Sequence, residues 1–108
     1  MKLETDVEKE IERLANARGF KVYHIQGKNP SDDGVPDLLL INKHGLHYFI
    51  EAKHSTNLRV AQRMFLAICG DSYMVKLHKG ELLISSAEDN FTYKLSLDLW
   101  LEMNEEEI

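Results

Sequence analysis

Apolar residues recur at two different periods along the chain, and the changes of period mark its elements. Val7, Ile11, Leu14 and Ala15 stand at helical spacing, which predicts a helix over residues 6–18 with Gly19 as its C-terminal stop. Phe20–Ile25 has the pattern of a short strand. Gln26–Val35 concentrates Gly, Pro, Asn, Asp and Ser, so it reads as a loop. Pro36–Asn42 and Leu46–Lys53 are β-rich runs joined by Lys43-His44-Gly45, a hairpin signal with glycine in the turn. Helical spacing returns over residues 58–69, where Leu58, Ala61, Phe65 and Ile68 form the predicted apolar stripe. Ser72–Leu77 and Glu81–Ser85 make a second hairpin around His78-Lys79-Gly80. Phe91–Lys94 reads as a strand, followed by a short helix from Ser96. The order α-β-β-β-α-β-β predicts an α/β fold with a mixed central sheet flanked by helices.

The first hairpin carries charges at its mouth. A turn centred on His44 sets Asp37 opposite Glu51, and directly opposed residues share a face with Cβ atoms ~5 Å apart. Alternation along the strand puts Lys53 on that face and Ala52 on the other. Leu38 and Leu40 point one way and Leu39 and Ile41 the other, which predicts a sheet interior covered on both sides. Two opposed carboxylates repel, more so in an apolar setting. Lys53 can neutralise one charge, and a divalent cation both. Hard oxygen ligands suit Mg²⁺ or Mn²⁺, which commonly bind through one or two carboxylates together with substrate phosphate. Lys53 would then position the attacking water or stabilise growing negative charge. The plain alternative is an exposed ion pair at the strand ends.

Two further residues carry paired readings. Glu8 fits a capping box begun by Thr5, and it equally fits a third carboxylate on a helix packed against the hairpin. Glu4 and Glu12 could serve in its stead. Gln62 interrupts the apolar stripe of the second helix, so its amide needs partners. These are either nearby backbone or a water or phosphate oxygen beside Lys53. Lys28, His54, Arg59 and Arg63 flank the hairpin as candidate phosphate contacts or as solvated surface groups. No histidine or cysteine spacing fits a zinc site.

Composition bounds these readings. The 108 residues suffice for one domain, and 44% hydrophobic with 29% charged content fits a soluble globule. A single cysteine, Cys69, no apolar run near the ~20 residues of a membrane span, and a charged N-terminus predict a cytoplasmic protein without membrane contact. The net charge of −5 weighs against nucleic acid, but residues 84–108 alone contribute −6, and the first 83 residues sum to +1.

Together, Asp6-Val7-Glu8, Gly34-Val35-Pro36-Asp37, Phe49-Ile50-Glu51-Ala52-Lys53 and Gln62 resemble the VRR-Nuc domain, a branch of the PD-(D/E)xK nucleases. The resemblance runs from about Asp6 to Leu83, leaving residues 84–108 as an acidic extension of a single domain spanning 1–108. It implies a restriction-endonuclease-like core and hydrolysis of DNA phosphodiester bonds. By the resemblance, Asp37, Glu51 and the backbone carbonyl of Ala52 bind metal and Glu8 joins them, through water if not directly. Lys53 and Gln62 complete the catalytic set. Small stand-alone members are phage or viral proteins, some similar to Holliday junction resolvases that act as homodimers on branched DNA. The competing expectation, motivated by Asp32, Asp33 and the acidic C-terminal end, is a module of the same fold that binds DNA or protein without cutting.

Overall fold

A computed structural model of the chain describes residues 3–25 and 34–108. Helix α1 (Glu4–Ala17) leads into strand β1 (Lys21–His24), then β2 (Leu38–Ile41) and β3 (His47–Lys53). Helix α2 (Val60–Ile68) follows, then β4 (Ser72–His78), β5 (Glu81–Ser86), β6 (Leu95–Ser96) and helix α3 (Leu97–Asn104). The six strands form one sheet in chain order. All neighbours are antiparallel except β3 and β4, which are parallel, with α2 as the crossover between them. The fold is therefore mixed α/β, and among the described residues no helix is long and apolar enough to cross a membrane.

Helices α1 and α3 cover one sheet face. Val7, Ile11 and Ala15 of α1 and Leu97, Trp100 and Leu101 of α3 pack against Leu38, Leu40, Tyr48, Ile50, Ala52, Val75, Leu82 and Ile84. The Trp100 ring meets Tyr48 edge-on at 5.0 Å and Tyr73 at 4.9 Å, which fixes α3 on the sheet. Residues beyond 83 thus supply part of the one core rather than an appendage to it. Three of the seven acids of this segment are also paired. Arg18 meets Asp98 and Glu105, and Lys43 meets Glu106 at 2.6 Å. Asn42, 4% exposed, donates to the carbonyls of Asn104 and Glu107 while its side-chain oxygen accepts from the His44 and Leu46 N–H groups. One amide therefore shapes the β2–β3 turn and holds the C-terminal end against it.

The hairpin register matches the expectation: Leu38 pairs with Ile50, Leu39 with Phe49 and Leu40 with Tyr48. Three expectations need correction. Phe91–Lys94 is not a strand, because Asn90 and Phe91 both have positive φ and turn the chain, so β6 starts only at Leu95. The second face of the sheet is not sealed: Leu39, Ile41 and Phe49 remain half-buried. The α2 stripe holds only in part: Leu58, Ala61 and Phe65 are half-buried, but Ile68 does not belong to it. Gln62 and Leu66 are the buried residues of the helix, whereas Ile68 is 83% exposed and Val60 and Met64 are exposed as well.

Gly34 joins the segment before β2 to α2. Its φ is +88°, and a Cβ there would lie 2.8 Å from the Ala61 carbonyl oxygen, a backbone atom that cannot swing aside. Gly80 has φ +81° in the β4–β5 turn with nothing within 4 Å. Gly34→Ala should therefore cost ~2–4 kcal/mol, and Gly80→Ala only the ~1–2 kcal/mol of a left-handed residue. Urea denaturation of both variants checks this, and equal losses would contradict the close approach.

Candidate active site

Asp37 immediately precedes β2, and its backbone carbonyl accepts from Ile25 N–H at 3.0 Å. Its side-chain Oδ2 accepts from Ala52 N–H at 2.9 Å, within the protein interior. The carboxylate is thereby tied to the strand that carries Glu51 and Lys53. Glu51 lies one position beyond the Leu38–Ile50 pair, on the face opposite the α1/α3 core. Asp37 is 8% exposed, Glu51 2% and Lys53 6%. All three are buried together at the hairpin mouth, so the exposed ion pair is excluded for them.

Glu51 is held and yet incomplete. Its Oε2 accepts from Gln62 Nε2 at 3.3 Å, while Oε1 is buried and meets no N–H group, so that a proton shared with Asp37 is what satisfies it. Burial pushes its pKa up to about 9, helped by a hydrogen bond to Asp37 and by Asp37's charge, with Lys53 opposing. In the metal-free protein a proton on Glu51 thus relieves the repulsion that the opposed carboxylates create. Gln62 accounts for its own burial: its Oε1 accepts from Arg59 N–H at 2.9 Å, capping α2, and its Nε2 reaches Glu51. The backbone reading of Gln62 is met by Arg59, and its other partner is the Glu51 carboxyl, which neither reading named.

The capping-box reading of Glu8 does not hold. Helix α1 begins one residue after Leu3, and it is Asp6 whose carboxylate accepts from the Leu3 N–H, at 3.1 Å. Glu8 is free of that duty and sits half-buried, 3.7 Å from His24 Nδ1. Burial first, and then the charge of Asp37, raise its pKa, while His24 lowers it. The sequence reading ranked Glu4 only as a substitute. It lies 3.9 Å from Lys53 Nζ and accepts from Thr56 Oγ1 at 3.2 Å. Glu12, the other substitute, pairs with His24 Nε2 instead. A carboxylate on the first helical turn is a common cap, so nothing local marked Glu4 as the partner of a lysine 49 positions later.

The flanking candidates separate. Arg59 caps α2 beside Gln62, and His54 follows β3 directly. Arg63 is turned toward the 87–94 segment, donating to Asn90 Oδ1 at 3.1 Å with its guanidinium 5.2 Å from the Phe91 ring centre. Lys28, like Asp32 and Asp33, lies outside the described residues.

Two buried carboxylates, a carboxylate oxygen that no N–H group reaches and a buried lysine fit a hard divalent cation such as Mg²⁺ or Mn²⁺. Among the described residues no three His, Cys, Asp or Glu side chains gather as a metal-holding group, so Glu8 does not close a three-carboxylate set with Asp37 and Glu51. Any cation held here would complete its shell with water, backbone oxygen or substrate. Comparison of the chain with protein families, curated proteins and solved structures finds no match.

The raised Glu51 pKa has a signed consequence for stability. A carboxyl group whose folded pKa lies above its unfolded value contributes stability below the unfolded pKa of 4.5 and loses it as pH rises through about 9. Glu51→Gln keeps a donor toward Asp37 and an acceptor for Gln62 but cannot ionise. In EDTA, the variant should therefore gain on wild type steadily between pH 5 and 9, by on the order of 1–3 kcal/mol at the alkaline end. Paired denaturation curves across that range measure the difference. Parallel curves would show that Glu51 does not carry the charge cost.

Proposed function

We propose that this chain is a divalent-metal-dependent deoxyribonuclease of the VRR-Nuc kind, with a restriction-endonuclease-like core. The observation that carries the reading is Glu51, a 2% exposed carboxyl whose Oε1 no N–H group reaches, beside buried Asp37 and Lys53. A buried carboxyl pair is costly to ionise, and a divalent cation taking the place of the shared proton would offset that cost.

Asp37 and Glu51 would hold the metal, with the Ala52 carbonyl and, through water, Glu8 as the further oxygens that the resemblance implies. A bound Mg²⁺ or Mn²⁺ supplies Lewis-acid polarisation of a phosphoryl oxygen and a readily deprotonated water. The rest falls to the protein. Ala52 N–H fixes the Asp37 carboxylate through Oδ2, and Gln62 fixes the Glu51 carboxylate through Oε2. Lys53 supplies a cationic donor on the same face, positioned to orient the attacking water or to stabilise charge on the phosphoryl oxygens. Glu4, 3.9 Å from Lys53 Nζ, keeps that amine at the mouth of the site. Water attacks phosphorus, the bond to the leaving oxygen breaks, and that oxygen takes up a proton.

The acidity that weighed against DNA is a weaker objection once its position is known. Asp98, Glu105 and Glu106 pair with Arg18 and Lys43, and the Lys43 turn is at the opposite end of the hairpin from Asp37 and Lys53. The preference for branched DNA, action as a homodimer and a phage origin are the finer parts of the proposal, carried by the resemblance alone.

Four-way-junction, flapped and linear DNA, incubated with Mn²⁺, Mg²⁺ or EDTA, test the reading. Cleavage should require the metal and fall by at least ~100-fold in Lys53→Met, while that variant still binds Mn²⁺ because both carboxylates remain. Asp37→Ala should lose both. Metal-dependent cleavage that survives either substitution removes the assignment. DNA binding with no product under any metal favours the non-cleaving module.

A further inference from the structure

On the sheet face that carries Glu51 and Lys53, a groove of about 310 Å³ runs over β4 and β5, lined by Met74, Lys76, His78, Leu83, Ser85 and Lys94. Three of these six side chains are basic types and none is acidic. The sheet register ties the groove to the site. Lys76 is the direct partner of Lys53 across β3 and β4, and Met74 is the partner of Glu51. Met74 in turn pairs with Ser85. Extending the Leu83–Ser96 pairing by two residues sets Lys94 beside Ser85. Adjacent strands lie ~4.8 Å apart, so the basic track starts one strand from Lys53 and ends about 14 Å from Glu51.

This face is open. Helices α1 and α3 pack on the other side, and α2 meets the sheet at β4. Met74 and Leu83 form a half-buried apolar floor between the cations. Lys76 Nζ donates to Asn57 Oδ1 at 3.1 Å, which holds its end toward the segment joining β3 to α2, on the side of the site. Apart from Glu51 of the site itself, opposite Met74, the nearest acid by register is Glu81, opposite His78 at the end of the hairpin and outside the groove lining.

We propose that this groove is a second binding site, which carries the nucleic-acid strand leading away from the scissile phosphate. Lys76 and Lys94 contact phosphates along that strand, and Met74 and Leu83 lie under its sugars or bases. The charge complementarity selects a polyanion, and the adjacency to Lys53 selects one that also enters the site. The choice of nucleic acid rests on the nuclease reading above.

The test is a Lys76→Gln, Lys94→Gln double variant of the full chain. Binding to a fluorescein-labelled four-way junction is followed by anisotropy in Ca²⁺ over a range of salt concentrations. Each lost phosphate contact removes about one unit of salt slope, so the double variant should lose about two, and should bind on the order of ten-fold more weakly at moderate salt. Lys9→Gln, an exposed charge on α1, serves as the control and should leave the slope unchanged. In Mn²⁺, the loss on cleavage should appear in KM rather than in kcat. Unchanged affinity and slope in the double variant would overturn the groove even if the protein cleaves DNA. A protein that binds polyglutamate but no DNA would overturn it as well. Groove-dependent binding without cleavage would leave the groove standing while the nuclease reading falls.

Discussion

Two carboxylates buried face to face across a hairpin mouth are the constraint around which this structure is arranged. Asp37 and Glu51 share a face because the β2–β3 register leaves no alternative, and that register is itself held by the apolar pairs Leu38–Ile50 and Leu40–Tyr48 on the other face. A one-residue slip of β3 would turn His47 and Phe49 toward the core and Tyr48 and Ile50 out of it. The hydrophobic core thus imposes an electrostatic cost at the sheet's end. The protein limits this cost with a backbone N–H for Asp37, an amide for Glu51 and a lysine alongside, and it leaves one Glu51 oxygen without an N–H donor.

The surrounding elements follow from that constraint. Helix α2 turns its polar Gln62 inward because Glu51 needs a donor, and Val60, Met64 and Ile68 are left in solvent as a result. Gly34 is required where the chain entering Asp37 passes within contact of the α2 backbone. Helix α1 brings Glu4 and Glu8 to the same region through its first two turns. At the far end of the hairpin, Asn42 and Lys43 gather the acidic C-terminal end. The charge of the chain is therefore partly segregated: Glu106 pairs with Lys43 at the β2–β3 turn, Asp98 and Glu105 pair with Arg18 at the end of α1, and bases line the groove over β4 and β5.

Much of this was legible in the sequence. The hairpin register could be read because a glycine turn and strict alternation leave few options, and Asp37, Glu51 and Lys53 follow from it by counting. Gln62 was visible as a polar interruption of an apolar stripe. Its full burial between half-buried Ala61 and Phe65 was not, because the carboxylate that needs its hydrogen bond is brought there by tertiary contact. Phe91–Lys94 has the aromatic and β-branched content of a strand, but positive φ at Asn90 and Phe91 is a tertiary outcome held by Ser86 and Arg63. Glu4, Asn42 and Lys76 were missed because their partners are distant in sequence. The parallel register that sets Lys76 beside Lys53 is fixed by the α2 crossover, whose geometry no local pattern encodes.

The central claim is that Asp37 and Glu51 are built to share a divalent cation. The most direct measurement is isothermal titration of Mn²⁺ into wild type and Glu51→Gln, both first stripped with EDTA, with the melting temperature followed in parallel. Wild type should bind one or more ions and gain thermal stability with Mn²⁺ concentration, as linkage requires of a ligand selective for the folded state. Glu51→Gln should show neither the heat nor the gain. Wild type that binds no Mn²⁺, or a variant that binds it equally well, would contradict the account.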